Sequence, residues 1–144
     1  EIADDDPRIE RALKVAHADF VYKLEKGIKS EVAQGGTNFS GGQKQRLSIA
    51  RAIFKDAEIL IFDDSFSALD YKTDANLRKA LLREMTDSTQ IVVAQRVSSV
   101  KSCDKILVLS DGKPIGLGTH DELMSGCPEY KEISDSQMGG AFLD

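Results

Sequence analysis

The sequence predicts an α/β fold in which helices cover a parallel sheet. Two runs, residues 59–62 and 91–93, consist only of apolar residues, which is typical of strands buried on both faces of such a sheet. Over residues 9–24, apolar residues instead recur at the spacing of a helix. Because strands and helices alternate after an all-helical beginning, we expect a helical part over residues 1–54 and a layered core over residues 55–144.

Each element has a local signal of its own. Asp6 and Pro7 open the first helix as N-cap and first-turn proline, and its apolar spacing extends to about Leu24. Asp111-Gly112 predicts a tight turn between two strands, and Thr119 with Glu122 forms a capping box. The other predicted elements are a helix from Gly41, a strand over 59–62, a helix over 72–85, a strand over 90–94, a short helix over 97–101, strands over 105–109 and 113–118, and a last helix over 128–137.

Composition excludes several classes of protein. With 144 residues, 41% of them hydrophobic, the chain suits one packed domain. Its formal net charge of −5 argues against nucleic acid as a partner, because nucleic-acid surfaces carry clustered basic residues. No apolar run approaches the roughly 20 residues that span a bilayer. Any membrane-spanning part that the protein needs must therefore lie on another segment or another chain.

Two neighbouring features predict chemistry on phosphate. Ser40, Gly41 and Gly42 stand at the entrance of a predicted helix, where free backbone N–H groups and the positive dipole end suit an anion. The strand over 59–62 ends in Asp63 and Asp64, whose oxygens suit Mg²⁺. A plain loop-to-helix junction and a turn-capping acid pair are the simpler alternatives. Together, however, a phosphate cradle, a strand and a metal-binding acid are typical of a nucleoside triphosphatase.

The run that follows, from Gln43 to Ala52, makes the chain resemble the nucleotide-binding domain of an ABC transporter. The resemblance assigns residues 40–43 to the signature motif, 59–64 to the Walker B segment, 65–70 to the D-loop and 91–98 to the switch segment. It implies ATP as the nucleotide and Mg²⁺ as the metal, oriented by Asp63. It also implies that a second nucleotide-binding domain holds a nucleotide that is contacted in trans by Ser40, Gly41, Gly42 and Gln43. Ser67 and Asp70, in the D-loop that communicates between the two sites of a dimer, are the other nucleotide-binding residues that it implies.

Two residues depart from the family pattern. Asp64 occupies the position of the catalytic base, usually glutamate, and its shorter side chain displaces the carboxylate; a misplacement of about 1 Å can cost roughly a hundredfold in rate. Gln95 replaces the usual switch histidine and keeps a hydrogen-bond donor but no charge. With the signature intact, both departures favour the subunit of a heterodimeric exporter whose own catalytic site is degenerate.

The sequence also lacks part of the family's machinery. A P-loop requires Gly-Lys followed by Ser or Thr, and the single Gly-Lys here, Gly112-Lys113, is followed by Pro114. The resemblance therefore predicts an ABC ATPase domain without its P-loop part, which the missing N-terminal part of the domain must supply. We expect the isolated chain to be inactive.

The resemblance also implies partners and a location. Residues 31–35 resemble the segment that contacts the transmembrane domain of exporters, although a plain solvated loop would have a similar sequence. The resemblance to exporters implies a parent protein at the cytoplasmic face of the cell membrane. Two alternatives stay open: a catalytically silent binding module that completes a partner's ATP site, and an ABC ATPase without a role in transport.

Overall fold

The structure, a computed structural model, describes residues 3–139 and divides into two compact units that meet between Val93 and Ala94. The first unit contains α1 (Pro7–Val15), α2 (Gly41–Phe54), β1 (Ile59–Asp63), α3 (Tyr71–Glu84) and β2 (Thr89–Val93). The second contains α4 (Val97–Val100), β3 (Ile106–Ser110), β4 (Lys113–Gly118), α5 (His120–Gly126) and α6 (Pro128–Gly139). The predicted α/β class is confirmed, whereas the boundary expected at residues 54 and 55 stays a prediction.

The first helix is shorter than predicted. It ends at Val15, and His17 adopts a left-handed conformation with φ of 53°. Ala18 N donates to Leu13 O at 2.8 Å and His17 N to Lys14 O at 3.1 Å, the bonding pattern of a Schellman cap. The apolar spacing misled because it continues through a 3-10 turn over Asp19–Lys23. His17, within the range predicted to be helical, instead lies just after the C-cap residue Ala16.

The sheet of the first unit is parallel, as predicted, but only one of its faces is buried. Strand β1 pairs with β2 in the register Leu60↔Gln90 and Phe62↔Val92. Leu60 and Phe62 lie in the core with α1, α2 and α3, whereas Ile59 is 58% and Ile61 65% exposed. The expectation of burial on both faces is therefore wrong for this unit, because its helices cover one face only.

The second unit is built on an antiparallel hairpin. Strands β3 and β4 pair from Ser110↔Lys113 to Ile106↔Gly118. Asp111 and Gly112 both have positive φ, 49° and 73°, the conformation of the tight hairpin turn that the sequence predicted. The predicted capping box of Thr119 and Glu122 is present at the start of α5. The core of this unit consists of Val97, Ile106, Val108, Leu123, Cys127 and Tyr130.

None of the helices over residues 3–139 combines the length and the apolar character that are needed to cross a bilayer.

Candidate nucleotide-binding surface

The predicted phosphate site begins at a capped helix end. Ser40 is the N-cap of α2: its Oγ accepts from Gln43 N at 3.3 Å, while Gln43 Oε1 accepts from Ser40 N at 2.9 Å. This reciprocal capping box fixes the first turn of the helix. The amides of Gly41 and Gly42, at the first two helical positions, have no acceptor within the helix. The turn therefore presents backbone donors whose direction is already set.

The two glycines allow this turn to approach the segment after β1 closely. A Cβ on Gly42 would lie 3.1 Å from Ala68 O and 3.4 Å from a methyl group of Leu69. A Cβ on Gly41 would lie 3.4 Å from the Ala68 Cβ, an ordinary contact. A side chain at position 42 therefore requires a backbone shift, whereas a small one at position 41 does not.

Gln45 joins the same two segments through its side-chain amide. Its Nε2 donates to Asp64 O at 3.1 Å and to Ser67 Oγ at 3.0 Å, and its Oε1 accepts from Ala68 N at 2.9 Å. Helix α2 and residues 64–68 are thus held by three hydrogen bonds from one residue. Gln45 has no role that its neighbouring residues predict, since its partners lie about twenty residues further along the chain.

A cavity of about 440 Å³ opens between the glycine turn and the start of α3. It is lined by Ser40, Gly41, Gly42, Arg46, Ala68, Leu69, Asp70 and Thr73. Arg46 is the cation in this lining, and its guanidinium donates to His17 O at 3.0 Å and lies over the Phe20 ring, 5.0 Å from the centroid. The structure therefore brings Ser40, Gly41, Gly42 and Asp70, four of the six predicted nucleotide-binding residues, to one cavity, whereas Gln43 and Ser67 are not among its lining residues.

The two predicted acids follow the same strand. Asp63 is the last residue of β1, and Asp64 begins the turn beyond it; both are exposed. Asp64 has φ of 48°, a conformation that aspartate tolerates better than most residues. Its N donates to Val93 O at 3.0 Å and its O accepts from Gln45. The backbone at the candidate base is therefore fixed on both sides.

The acidic residues of this site could supply only part of the coordination shell of Mg²⁺, with the other ligands coming from phosphates and water. Among residues 3–139, no group of three or more His, Cys, Asp or Glu side chains could hold a metal. Mg²⁺ is usually bound through one or two carboxylates together with substrate phosphates and waters. Asp63, exposed at the end of β1, suits the part of a single carboxylate ligand.

Gln95 belongs to the second unit and does not line the cavity of the first. It is exposed and follows the last residue of β2 by two positions. Its carbonyl accepts a hydrogen bond of 2.8 Å from Gln137 Nε2, on helix α6. The sequence did not predict the contact of Gln137 with Gln95, because a polar residue on a surface helix gives no signal of such a contact.

Asp70 lines the cavity and also caps a helix. It is the N-cap of α3, where its carboxylate accepts from Thr73 Oγ1 at 2.7 Å and from Thr73 N at 2.9 Å. These hydrogen bonds, first from the Thr73 side chain and then from its backbone, lower the pKa of Asp70 below the ordinary value of 3.8. The ionised form is therefore the one that caps the helix.

We expect acid to loosen the start of α3. Because the folded pKa of Asp70 is lowered, its stabilisation is complete above the unfolded value near 3.8 and is lost as the pH falls through the folded value. Amide exchange at Thr73, corrected for intrinsic rates, should accelerate in that acidic window in the wild type. Asp70→Asn should remove this pH dependence. An unchanged acid response in that variant would assign the effect to another group.

This chain is similar in sequence to known ABC transporter proteins. The family model described as ABC transporter matches residues 4–67. An uncharacterized ABC transporter ATP-binding protein of Mycobacterium bovis is 48% identical over 126 residues, covering 88% of this chain and 22% of the relative. An ATP-dependent lipid A-core flippase of Vibrio vulnificus is 39% identical over 132 residues, covering 91% of this chain and 23% of the relative.

A solved structure is also similar. That structure, a bacterial Atm1-family ABC exporter with ATP bound, matches with a TM-score of 0.87 and 35% identity, over 94% of this chain and 24% of its own. This chain thus spans less than a quarter of the length of each of these three proteins.

Fold, cavity and relatives together define the class. The chain is part of an α/β ATPase domain of the kind that binds ATP in ABC proteins. More particularly, it is part of an ABC transporter nucleotide-binding domain whose relatives include exporters.

Proposed function

We propose that the chain forms the C-terminal part of a nucleotide-binding domain in a heterodimeric ABC exporter. In this proposal the domain lies at the cytoplasmic face of the cell membrane and couples ATP binding and hydrolysis to export. Its signature motif, residues 40–43, acts in trans on the nucleotide of a second nucleotide-binding domain. Its own catalytic site is degenerate.

The observation that carries the proposal is the clamp formed by Gln45. Its three hydrogen bonds fix the signature helix to Asp64, Ser67 and Ala68. In the proposal, the signature motif and the D-loop both meet nucleotide across a dimer interface, so they must move as one body. The cavity that contains Gly41 and Asp70 is the surface offered to the partner.

The remaining site residues take the roles that the resemblance implies. Asp63 is one Mg²⁺ ligand beside the phosphates. Asp64 is a weak base, because its carboxylate ends one methylene short of a glutamate's. Gln95 donates a hydrogen bond to the γ-phosphate but cannot supply a positive charge.

Two surfaces support the proposed partners. The exposed sheet face of Ile59, Ile61, Ile91 and Val93 is an apolar surface that the N-terminal part of the same domain would cover. The loop over residues 31–38 is closed by Asn38, whose Nδ2 donates to Glu31 O at 2.9 Å and whose Oδ1 accepts from Ala33 N at 3.1 Å. This ordered loop is the proposed contact with the transmembrane domain.

The second candidate is a silent binding module, in which this chain completes a partner's site and its own site performs no hydrolysis. The shortened acid at Asp64 and the uncharged Gln95 are the observations that favour it. An ABC ATPase without a transport role is less favoured, because the sequence carries no long coiled-coil or linker insertion of the kind those families often have. Hydrolysis measured at this chain's own site, with the partner's catalytic glutamate removed, separates the module from a slow enzyme.

Gln45→Ala in the complete transporter tests the clamp. We expect ATPase activity to fall by about tenfold or more, since the D-loop loses the bonds that position it and sub-ångström placement governs such rates. Steady-state ATPase at saturating Mg-ATP is the measurement. Ser48→Ala, at an exposed position of the same helix, is the matched control. Equal activity of the two variants would contradict the proposal that signature and D-loop act as one body.

A further inference from the structure

A single glutamine of helix α6 holds the backbone on both sides of Arg96. Gln137 Nε2 donates to Gln95 O at 2.8 Å, and Gln137 Oε1 accepts from Val97 N at 2.8 Å. The side-chain amide thus binds one acceptor and one donor of the main chain, as a neighbouring strand does. Gln137 lies about forty residues from the segment it binds, so this contact belongs to the folded unit and not to local sequence.

The contact replaces a missing helix cap. Val97 is the first residue of α4, and the N-cap residue, Arg96, makes no side-chain capping bond. The amide of Val97 has no acceptor within the helix, and Gln137 supplies one. At its other end the same amide fixes the carbonyl of Gln95. Both peptide groups that flank Arg96, the residue after Gln95, are therefore set by one side chain.

Helix α6 is a firm support for this clamp. Tyr130 and Ser134, two turns and one turn before Gln137, are only 4% and 3% exposed. Tyr130 belongs to the core cluster with Leu123 and Cys127. A shift of α6 would therefore move Gln95 with it, while an immobile α6 holds the segment in place.

We propose that Gln137 is a positioning residue that sets Gln95 toward the γ-phosphate of ATP. The inference rests on the proposed function of the switch segment and adds to it the residue that controls its geometry. Since ADP has no γ-phosphate, the clamp contributes to ATP binding and not to ADP binding. Discrimination between the two nucleotides at this chain's site thus depends on a residue at the end of α6.

Two variants separate the two halves of the clamp. Gln137→Ala removes both hydrogen bonds. Gln137→Glu keeps an acceptor for Val97 N but places a carboxylate against the Gln95 carbonyl, which it repels. The cap of α4 should survive in the glutamate variant, while the hold on Gln95 should be lost in both. Ser136→Ala is the control, because that hydroxyl donates to Ile133 O within the same helix.

The experiment uses the complete transporter that contains this chain. Photolabelling of its polypeptide by a photoreactive azido-ATP is competed with ATP and, separately, with ADP. Gln137→Ala and Gln137→Glu should each raise the ATP concentration for half competition by roughly fivefold, the size expected for one or two hydrogen bonds, and leave that for ADP unchanged. Amide exchange over residues 94–100 should accelerate most in the alanine variant.

Combination with Gln95→Ala completes the test. Gln95→Ala alone should weaken ATP competition, and Gln137→Ala added to it should have no further effect, because the two residues act in series. Equal weakening toward ATP and ADP, or additive losses in the double variant, would overturn the positioning role. If Gln95→Ala has no effect on ATP competition, the proposed function of Gln95 fails and the inference falls with it. If Gln95→Ala weakens ATP but Gln137→Ala does not, the inference alone fails.

Discussion

Gly41→Asp in the complete transporter is expected to lower ATPase activity on the order of a hundredfold, as loss of a preorganised anion site does. The glycine lies at the first position of α2 and lines the cavity beside Asp70. Its Cβ would meet the Ala68 Cβ at an ordinary 3.4 Å, so the fold should tolerate a side chain. The added carboxylate, however, would occupy the helix end that is to face a partner's phosphate and would repel it.

Three comparisons make this result specific. Gly41→Asn introduces a side chain of nearly the same size as aspartate but without its charge, and this variant should lose much less activity than Gly41→Asp. Gly41→Ala should lose less activity than Gly41→Asn. Asp64→Asn should change the total rate only slightly, because the site that it affects already turns over slowly. Steady-state ATPase of the four variants, measured side by side with their thermal stability, gives the ranking. If Asp64→Asn loses as much as Gly41→Asp, this chain has a working catalytic base.

The second large expected effect is a gain in ATP hydrolysis when the degenerate site is repaired. Asp64→Glu with Gln95→His should raise hydrolysis at this chain's own site by roughly a hundredfold, once the partner's catalytic glutamate has been removed so that only this site reports. The longer acid regains its reach toward the attacking water, and the histidine supplies a group that stabilises charge in the transition state. Either change alone should give little, because base and switch act on one phosphoryl transfer.

The structure sets a condition on this repair. Residue 64 has a left-handed φ of 48°, which glutamate adopts less readily than aspartate. The hydrogen bonds of its backbone to Val93 and Gln45 hold that conformation. They should keep a glutamate at position 64 in the same backbone conformation. Single-turnover hydrolysis with bound nucleotide verified in parallel is the measurement. Retained nucleotide without any gain in the double variant would show that the limit lies outside these two residues.

Local signals in the sequence predicted much of the fold. The helix start at Ser40, the capping box at Thr119 and the turn at Asp111 depend on neighbouring residues, and each was placed correctly. The end of α1 was missed because apolar spacing continues past His17 into a 3-10 turn. The exposure of Ile61 could not be predicted either, since the composition of a strand does not reveal which of its faces is covered.

Some residues of the candidate site were likewise predictable from the sequence, and others were not. The signature glycines and the two acids stand in recognisable patterns, and the structure brings Gly41 and Asp70 to one cavity. Gln45 and Gln137 were missed because each acts on backbone groups far along the chain, through an amide that any surface glutamine also carries. A residue that positions others through contacts with distant parts of the chain does not belong to a periodic pattern or to a motif of fixed spacing, so the sequence does not reveal it.

Nucleotide trapping tests most directly the claim that this chain's signature completes a partner's ATP site. The transporter is inhibited with vanadate in the presence of photoreactive azido-ATP and irradiated, and the two polypeptides are then separated. We predict that Gly41→Asp in this chain abolishes labelling of the partner polypeptide, whereas Asp64→Asn leaves it intact. Unchanged labelling of the partner polypeptide by the Gly41→Asp transporter would contradict the account.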